Sequence, residues 1–168
     1  MAGLIHEMII TSGKYNRAIE LGCAIGGSTK FISEVANETV GVDLDEERIK
    51  IAGDRFRNIT FEVKNASSTG FPGGSFDVAF LIMMLHEIPD PLIIKEACRL
   101  ANKVVVIDYN YPVRGIWGIF FRFLEGNKLE QLESMDMEKI FNLNKFNLKE
   151  KKVYGDNFRR WIFVNSAR

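Results

Sequence analysis

The chain has 168 residues, 46% hydrophobic and 26% charged, a balance that builds a folded globular domain and excludes a disordered or fibrous chain. Its 22 basic and 22 acidic residues cancel to a formal charge of zero, so no overall basicity marks a nucleic-acid binder. The two cysteines, Cys23 and Cys98, are too few for a disulfide framework and lack the paired spacing of a zinc site.

Reduced thiols of that kind fit a cytoplasmic protein. The apolar stretch at residues 4–10 contains His6 and Glu7 and has no basic leader, which makes it a poor signal peptide. The longest run resembling a membrane segment, residues 115–121, falls far short of the ~20 residues that a spanning helix needs. No repeat, low-complexity tract or Pro/Gly-rich linker divides the chain, so residues 1–168 are expected to form one domain.

In chain order, the apolar run at residues 17–21 reads as a strand that meets a glycine-rich turn. A helix follows, with Phe31, Ile32 and Val35 on one face. Residues 39–42 form a second buried strand ending at Asp43. Asp45 caps the next helix, with Glu46 and Glu47 in its first turn and Ile49, Ala52 and Phe56 as its core stripe. Residues 59–63 and 76–83 give a third and fourth strand. Asp90-Pro91 starts a helix running through Ile94, Ala97 and Leu100, and residues 104–107 give a fifth strand. Helices near residues 115–124 and 135–141 come next. Strands at 148–154 and 158–164 then flank Gly155-Asp156-Asn157, which is hairpin chemistry. Alternating short apolar strands and helices imply an α/β fold, a parallel sheet covered on both faces and closed by an antiparallel hairpin.

Open sheets of this kind bind ligands beyond the carboxyl ends of their strands, where strand order reverses. The first strand ends in Glu20-Leu21-Gly22-Cys23-Ala24-Ile25-Gly26-Gly27-Ser28, whose small residues let the backbone turn tightly and approach a ligand. Such a turn can also be purely structural. Asp43 ends the next strand, where a carboxylate accepts hydrogen bonds from both hydroxyls of a ribose or, alternatively, caps the following helix. Gly22-x-Ala24-x-x-Gly27 is also a near miss to the dinucleotide pattern, which leaves an NAD(P)-binding oxidoreductase as an alternative. Against it, Glu20 would put a carboxylate close to a doubly anionic pyrophosphate.

Taken together, Glu20-x-Gly22-x-Ala24-x-Gly26, Gly41-Val42-Asp43, Ser75-Phe76-Asp77-Val78 and Leu85-His86-Glu87-Ile88-Pro89-Asp90 resemble the successive motifs of class I S-adenosylmethionine-dependent methyltransferases. The resemblance covers about residues 16–108. It implies a doubly wound, Rossmann-like, mostly parallel seven-stranded sheet of order 3-2-1-4-5-7-6. It also implies S-adenosylmethionine as cofactor and S-adenosylhomocysteine as product. Carried over by position, Glu20 would lie near the cofactor's ammonium, and Gly22, Cys23, Ala24 and Gly26 along its methionyl chain. Asp43 would hold the ribose, Leu44 would pack on the adenine, and Asn65 and Ala66 would border its edge. Ile82, Met83 and His86 would form the floor. Two positions depart from the family's pattern: Ala24 replaces a usual glycine, and Asn65 stands where an acidic residue is common.

A general base is needed only where the acceptor holds a proton near neutral pH. His86 is the candidate, with helix capping or packing as its structural alternative. Asp108, Tyr109 and Tyr111 follow the fifth strand and are expected on the rim, where Tyr109 and Tyr111 could orient an acceptor or simply pack. Residues 81–84 read Leu-Ile-Met-Met, not the Asn/Asp-Pro-Pro-aromatic motif of enzymes methylating exocyclic amines of DNA bases, so the expected acceptor is a small molecule. Residues 115–124 are apolar on almost every face. They could line an apolar substrate pocket, form a homodimer or partner interface, or touch a membrane surface. With Asp108-Tyr109 they point to the quinone- and lipid-modifying branches of the family. About fifteen residues precede Arg17, which would leave the site open, covered by a partner subunit, or suited to a large substrate. A cofactor-binding accessory subunit without activity is the non-enzymatic alternative.

Overall fold

Apolar β-branched runs build the centre of the molecule, and the caps expected from sequence start the helices around it. The computed structural model describes residues 2–110, 135–155 and 157–166. Within them the order is α1 (Ala2–Ile10), β1 (Tyr15–Leu21), α2 (Gly27–Ile32), β2 (Ala36–Asp43), α3 (Glu46–Arg55), β3 (Thr60–Val63) and β4 (Phe76–Ile82). Then come α4 (Pro91–Leu100), β5 (Ala101–Tyr109), α5 (Met137–Leu143), β6 (Phe146–Tyr154) and β7 (Phe158–Asn165). Asp45 accepts from the Glu47 and Arg48 amides at the start of α3, and Asp90 from the Leu92 amide at the start of α4.

The sheet has seven strands in the order β3-β2-β1-β4-β5-β7-β6, the order that the resemblance implies. β1 to β5 are parallel, while β7 runs antiparallel between β5 and β6. Alternate residues feed two cores. On one face Ile19, Leu21, Ala79 and Leu81 pack with Ile93, Ile94 and Ala97 of α4 and Phe141 of α5. On the other, Ala18, Val78, Phe80 and Val105 pack with Met8 and Ile9 of α1 and Ile32 of α2. Burying such side chains contributes about 1.5–3 kcal/mol each, the main favourable term holding the layers.

Several boundaries differ from the sequence reading. α2 ends at Ile32, so Val35 reaches the core from the turn beyond the helix, and Phe31 is only half-buried. β5 extends to Tyr109 because β7 pairs beside it as far as Tyr109–Phe158. That pairing draws Asp108 and Tyr109 off the expected rim and into the sheet, where both are buried. The helix expected near 115–124, together with Tyr111, lies outside the described residues.

Candidate functional site

From β1 the chain winds outward to β2 and β3, whereas β4 and β5 lie on the opposite side. Beyond the carboxyl ends of β1, β2 and β4, at that reversal, lies a cavity of about 610 Å³. The turn after β1 (Gly22 to Ile25, with Gly27 and Ser28), Asp43 and Leu44, and Asn65, Ala66 and Ser67 form one side. Ile82, Met83, Met84, Glu87 and Ile88 form the other, and Ile93 of α4 and Ile5 of α1 complete the apolar lining.

The turn owes its shape to its small residues. Gly22 has φ +77°, and a Cβ there would meet Met84 Sδ at 2.7 Å; Gly26 has φ +78°, and its Cβ would meet the Phe61 ring at 2.8 Å. Ala24 also occupies the left-handed region, φ +46°, at a cost of about 1–2 kcal/mol that glycine would avoid. Met83, on the cavity's other side, has φ +52°, a second strained residue at the same place.

The amides of Gly22 and Cys23 both donate to the Val42 carbonyl, at 2.8 and 2.9 Å, and so draw the turn against β2. Ala24 N–H then donates to Asp43 Oδ2 at 2.9 Å, and Asp45 N–H to Oδ1 at 3.0 Å. The Asp43 carboxylate is thereby fixed at the cavity wall, and each oxygen retains capacity for a further donor. Leu44 follows with 70% of its surface exposed, an apolar side chain beside that carboxylate.

Glu20 stands behind the wall, fully buried, and its two oxygens accept from the hydroxyls of Ser28 and Thr29, each at 2.5 Å. Burial pushes its carboxyl up to about 7; the two hydroxyl donors oppose this rise, and the Asp43 charge adds to it. It therefore anchors the start of α2 and meets the cavity through Ser28. Gly26 likewise shapes the turn without lining the cavity among the described residues.

His86 is also set behind the cavity wall. Its Nδ1 lies 2.8 Å from Asp108 Oδ1, its ring packs edge-on against Tyr109, and its Nε2 lies 4.0 Å from Oε1 of Glu87, which does line the cavity. Asp108 is fully buried and also accepts from the amides of Leu85 and Tyr109, at 3.0 and 2.8 Å. Tyr109 stacks on Phe158. Structure thus brings Gly22, Cys23, Ala24, Asp43, Leu44, Asn65, Ala66, Ile82 and Met83 around one cavity. It sets Glu20, Gly26, His86 and Tyr109 in the layer that supports it.

Sequence reasoning missed two further supports. Glu96 of α4 is buried, and its Oε1 accepts from the Thr69 amide and hydroxyl at 2.8 and 2.6 Å; Arg99 grips both its oxygens at 2.7 Å. The Glu96–Arg99 spacing is legible in sequence, but the link to Thr69, 27 positions away, is not. Arg160 of β7, 2% exposed, donates to the Met8 carbonyl and the Thr11 hydroxyl and pairs with Glu150. It thereby fixes α1, which carries Ile5 to the cavity, and no local signal announces a contact spanning 152 positions.

A family described as a methyltransferase domain matches residues 18–105. Over 98 residues the chain is 30% identical to the ubiquinone biosynthesis O-methyltransferase of Methylococcus capsulatus, covering 55% of this chain and 41% of that protein. Over 140 residues it is 25% identical to a ubiquinone/menaquinone biosynthesis C-methyltransferase of Rickettsia massiliae, covering 77% and 54%. The chain spans about half the length of these relatives. Among solved structures, the magnesium protoporphyrin IX methyltransferase of Synechocystis PCC 6803 with bound SAH shares the fold, with a TM-score of 0.72 and 15% identity. The match covers 98% of this chain and 83% of that one.

Proposed function

The chain belongs to the methyltransferase-domain family, of the class I S-adenosylmethionine type, and from that premise we propose that it binds S-adenosylmethionine in this cavity and methylates a small apolar acceptor of the quinone-precursor kind. The observation that carries the cofactor reading is the Asp43 carboxylate, held at the cavity wall by the Ala24 and Asp45 amides with acceptor capacity left for two ribose hydroxyls. Exposed Leu44 beside it offers a surface for a purine ring, and Asn65 and Ala66 line the same cavity. The family match also decides between the two nucleotide classes left open by the glycine turn.

The cofactor, when bound, supplies a methyl group already activated on a sulfonium. The chain's own part is positioning, which in well-aligned reactions contributes on the order of 7–11 kcal/mol. Ile5, Met83, Met84, Ile88 and Ile93 give the cavity an apolar side suited to an aromatic or prenylated acceptor, and the two curated relatives described above are named for quinone biosynthesis. In this reading His86, its Nδ1–H donating to Asp108, supports the wall from behind, its Nε2 4.0 Å from Glu87, which lines the cavity. Tyr109 packs edge-on against that imidazole ring and belongs to the same supporting layer.

Calorimetric titration with S-adenosylhomocysteine and NAD, on the natural chain and on Asp43→Ala, tests the cofactor site. We expect adenosyl binding weakened about tenfold or more in the variant, as for loss of a charged hydrogen-bonding group. In the same preparations, methyl transfer to a phenolic quinone precursor should fall in Asp43→Ala along with the weakened adenosyl binding. NAD binding without adenosylhomocysteine binding would replace this reading with the oxidoreductase one.

A further inference from the structure

Where β4 ends, the chain leaves the sheet through a tight turn. The last bond to β5 runs from the Met83 amide to the Ile107 carbonyl at 2.8 Å, and Met83 sits at φ +52°, a conformation that persists only where neighbours enforce it. Within the turn the amides of Glu87 and Ile88 donate to the Met84 carbonyl, at 3.0 and 2.9 Å. Those of Leu85 and His86 donate instead to Asp108 Oδ2 on β5, at 3.0 and 3.3 Å. Asp108 Oδ1 accepts the Tyr109 amide and lies 2.8 Å from His86 Nδ1. Leu85, His86 and Asp108 are all buried, so water does not stand in for these bonds. Met84 carries the constraint across the cavity. Its Sδ packs so close to Gly22 that a Cβ there would stand 2.7 Å from it, and the Gly22 amide is tied in turn to the Val42 carbonyl at 2.8 Å. Met84 and Gly22 both line the cavity, whereas Asp108 is not among the described residues that do.

Resting on the cofactor reading above, we propose that Asp108 is a positioning residue for the cofactor: through the Met84 turn it fixes the glycine turn, so adenosyl affinity depends on a carboxylate outside the cavity. Coupling of this kind needs a contiguous chain of packed and hydrogen-bonded groups. Here the chain runs from Asp108 through the Leu85 and His86 amides to Met84, from Met84 to Gly22, and from Gly22 to β2. Without the carboxylate those two amides are buried and unpaired, and the turn shifts to find other acceptors. Met83 then relaxes from its left-handed conformation, and Met84 leaves Gly22. Ala24, two residues beyond Gly22, donates to Asp43, so the shift reaches the carboxylate at the cavity wall. A carboxylate with a structural role alone would lower stability and leave the affinity of the folded molecules as it was. Asparagine keeps one acceptor for the Leu85 and His86 amides. Its NH₂ then faces His86 Nδ1, which accepts in the other ring tautomer.

The test is calorimetry of S-adenosyl-L-homocysteine on the full chain, Asp108→Asn, Asp108→Ala, Met84→Ala and the double variant of the two alanines. Each is measured where far-ultraviolet dichroism shows it folded. Asp108→Ala and Met84→Ala should each weaken binding about tenfold or more, and Asp108→Asn should stay within about threefold of the natural chain. The double variant should bind within about threefold of the weaker single one, because both substitutions break the same chain of contacts. Natural affinity in folded Asp108→Ala overturns the proposal and leaves the cofactor reading standing. So does a loss in Asp108→Asn as large as in Asp108→Ala, or losses that add fully in the double variant. Should Asp108→Ala not fold, Met84→Ala decides, since it keeps Asp108 and its amide bonds: natural affinity there overturns the proposal, and a tenfold loss with Asp108→Asn unaffected supports it. Failure of the natural chain to bind adenosylhomocysteine overturns the cofactor reading and this proposal together.

Discussion

Glu20 and Glu96 are both buried carboxylates, yet their surroundings drive them in opposite directions. Around Glu20 burial dominates, and the neutral hydroxyls of Ser28 and Thr29 do not offset it, so its carboxyl rises to about 7 from 4.5. Around Glu96 burial also favours the neutral acid, but the Arg99 guanidinium and the two Thr69 donors outweigh it and bring the carboxyl down to about 2. The consequences for stability have opposite signs. Glu20's contribution is complete below pH 4.5 and is lost as pH rises through about 7, a loss on the order of 3 kcal/mol. Glu96's is present above 4.5 and is lost only as pH falls through about 2. Glu20→Gln should therefore gain on the natural chain in urea midpoint between pH 5 and pH 8, the increment growing with pH. An increment that shrinks over that range would contradict a buried, reluctant Glu20.

At the scale of elements, α1 shows how a segment too weak to stand alone becomes a wall of the site. Nine residues are too few for a stable isolated helix. Met8 and Ile9 bury one stripe of it against the sheet. Cations hold its far end: Arg160 on the Met8 carbonyl and Lys103 on the Ser12 carbonyl at 2.6 Å, a favourable arrangement at a helix C-terminus. His6 reaches Glu34, in the turn after α2, at 2.8 Å. Arg160→Met should cost about 2–3 kcal/mol, below the usual figure for breaking a buried pair because Glu150 is partly exposed. Hydrogen exchange should quicken in α1 well before α4. Equal acceleration in both helices would show that Arg160 supports the whole sheet and not α1 in particular.

Across the whole molecule, one sheet separates two apolar cores, and β1, β4 and β5 contribute alternate residues to both. Neither core can be lost without disordering strands that the other needs. The chain should therefore unfold as one unit, with far-ultraviolet dichroism and tryptophan fluorescence giving coincident urea transitions. Separate midpoints would mean that one layer melts independently of the other. No helix among the described residues is long and apolar enough to cross a membrane.

The sequence by itself determined the strands, the helices α2 to α5 and the outline of the site, but not α1. Apolar runs marked the strands, Asp45 and Asp90 marked helix starts, and the spacing from the glycine turn to Asp43 marked two walls of the cavity, because each of these signals acts over a few residues of chain. Even Ala24 was legible as a departure, although only the backbone shows that it occupies a left-handed position. Tertiary structure alone decided that Glu20 turns to Ser28 and Thr29, that Asp108 is buried against His86, that Glu96 clasps Thr69, and that Arg160 holds α1. Those pairings depend on which strands lie side by side and in what register. A hydrogen bond between residues 22 or 152 positions apart leaves no trace in local periodicity.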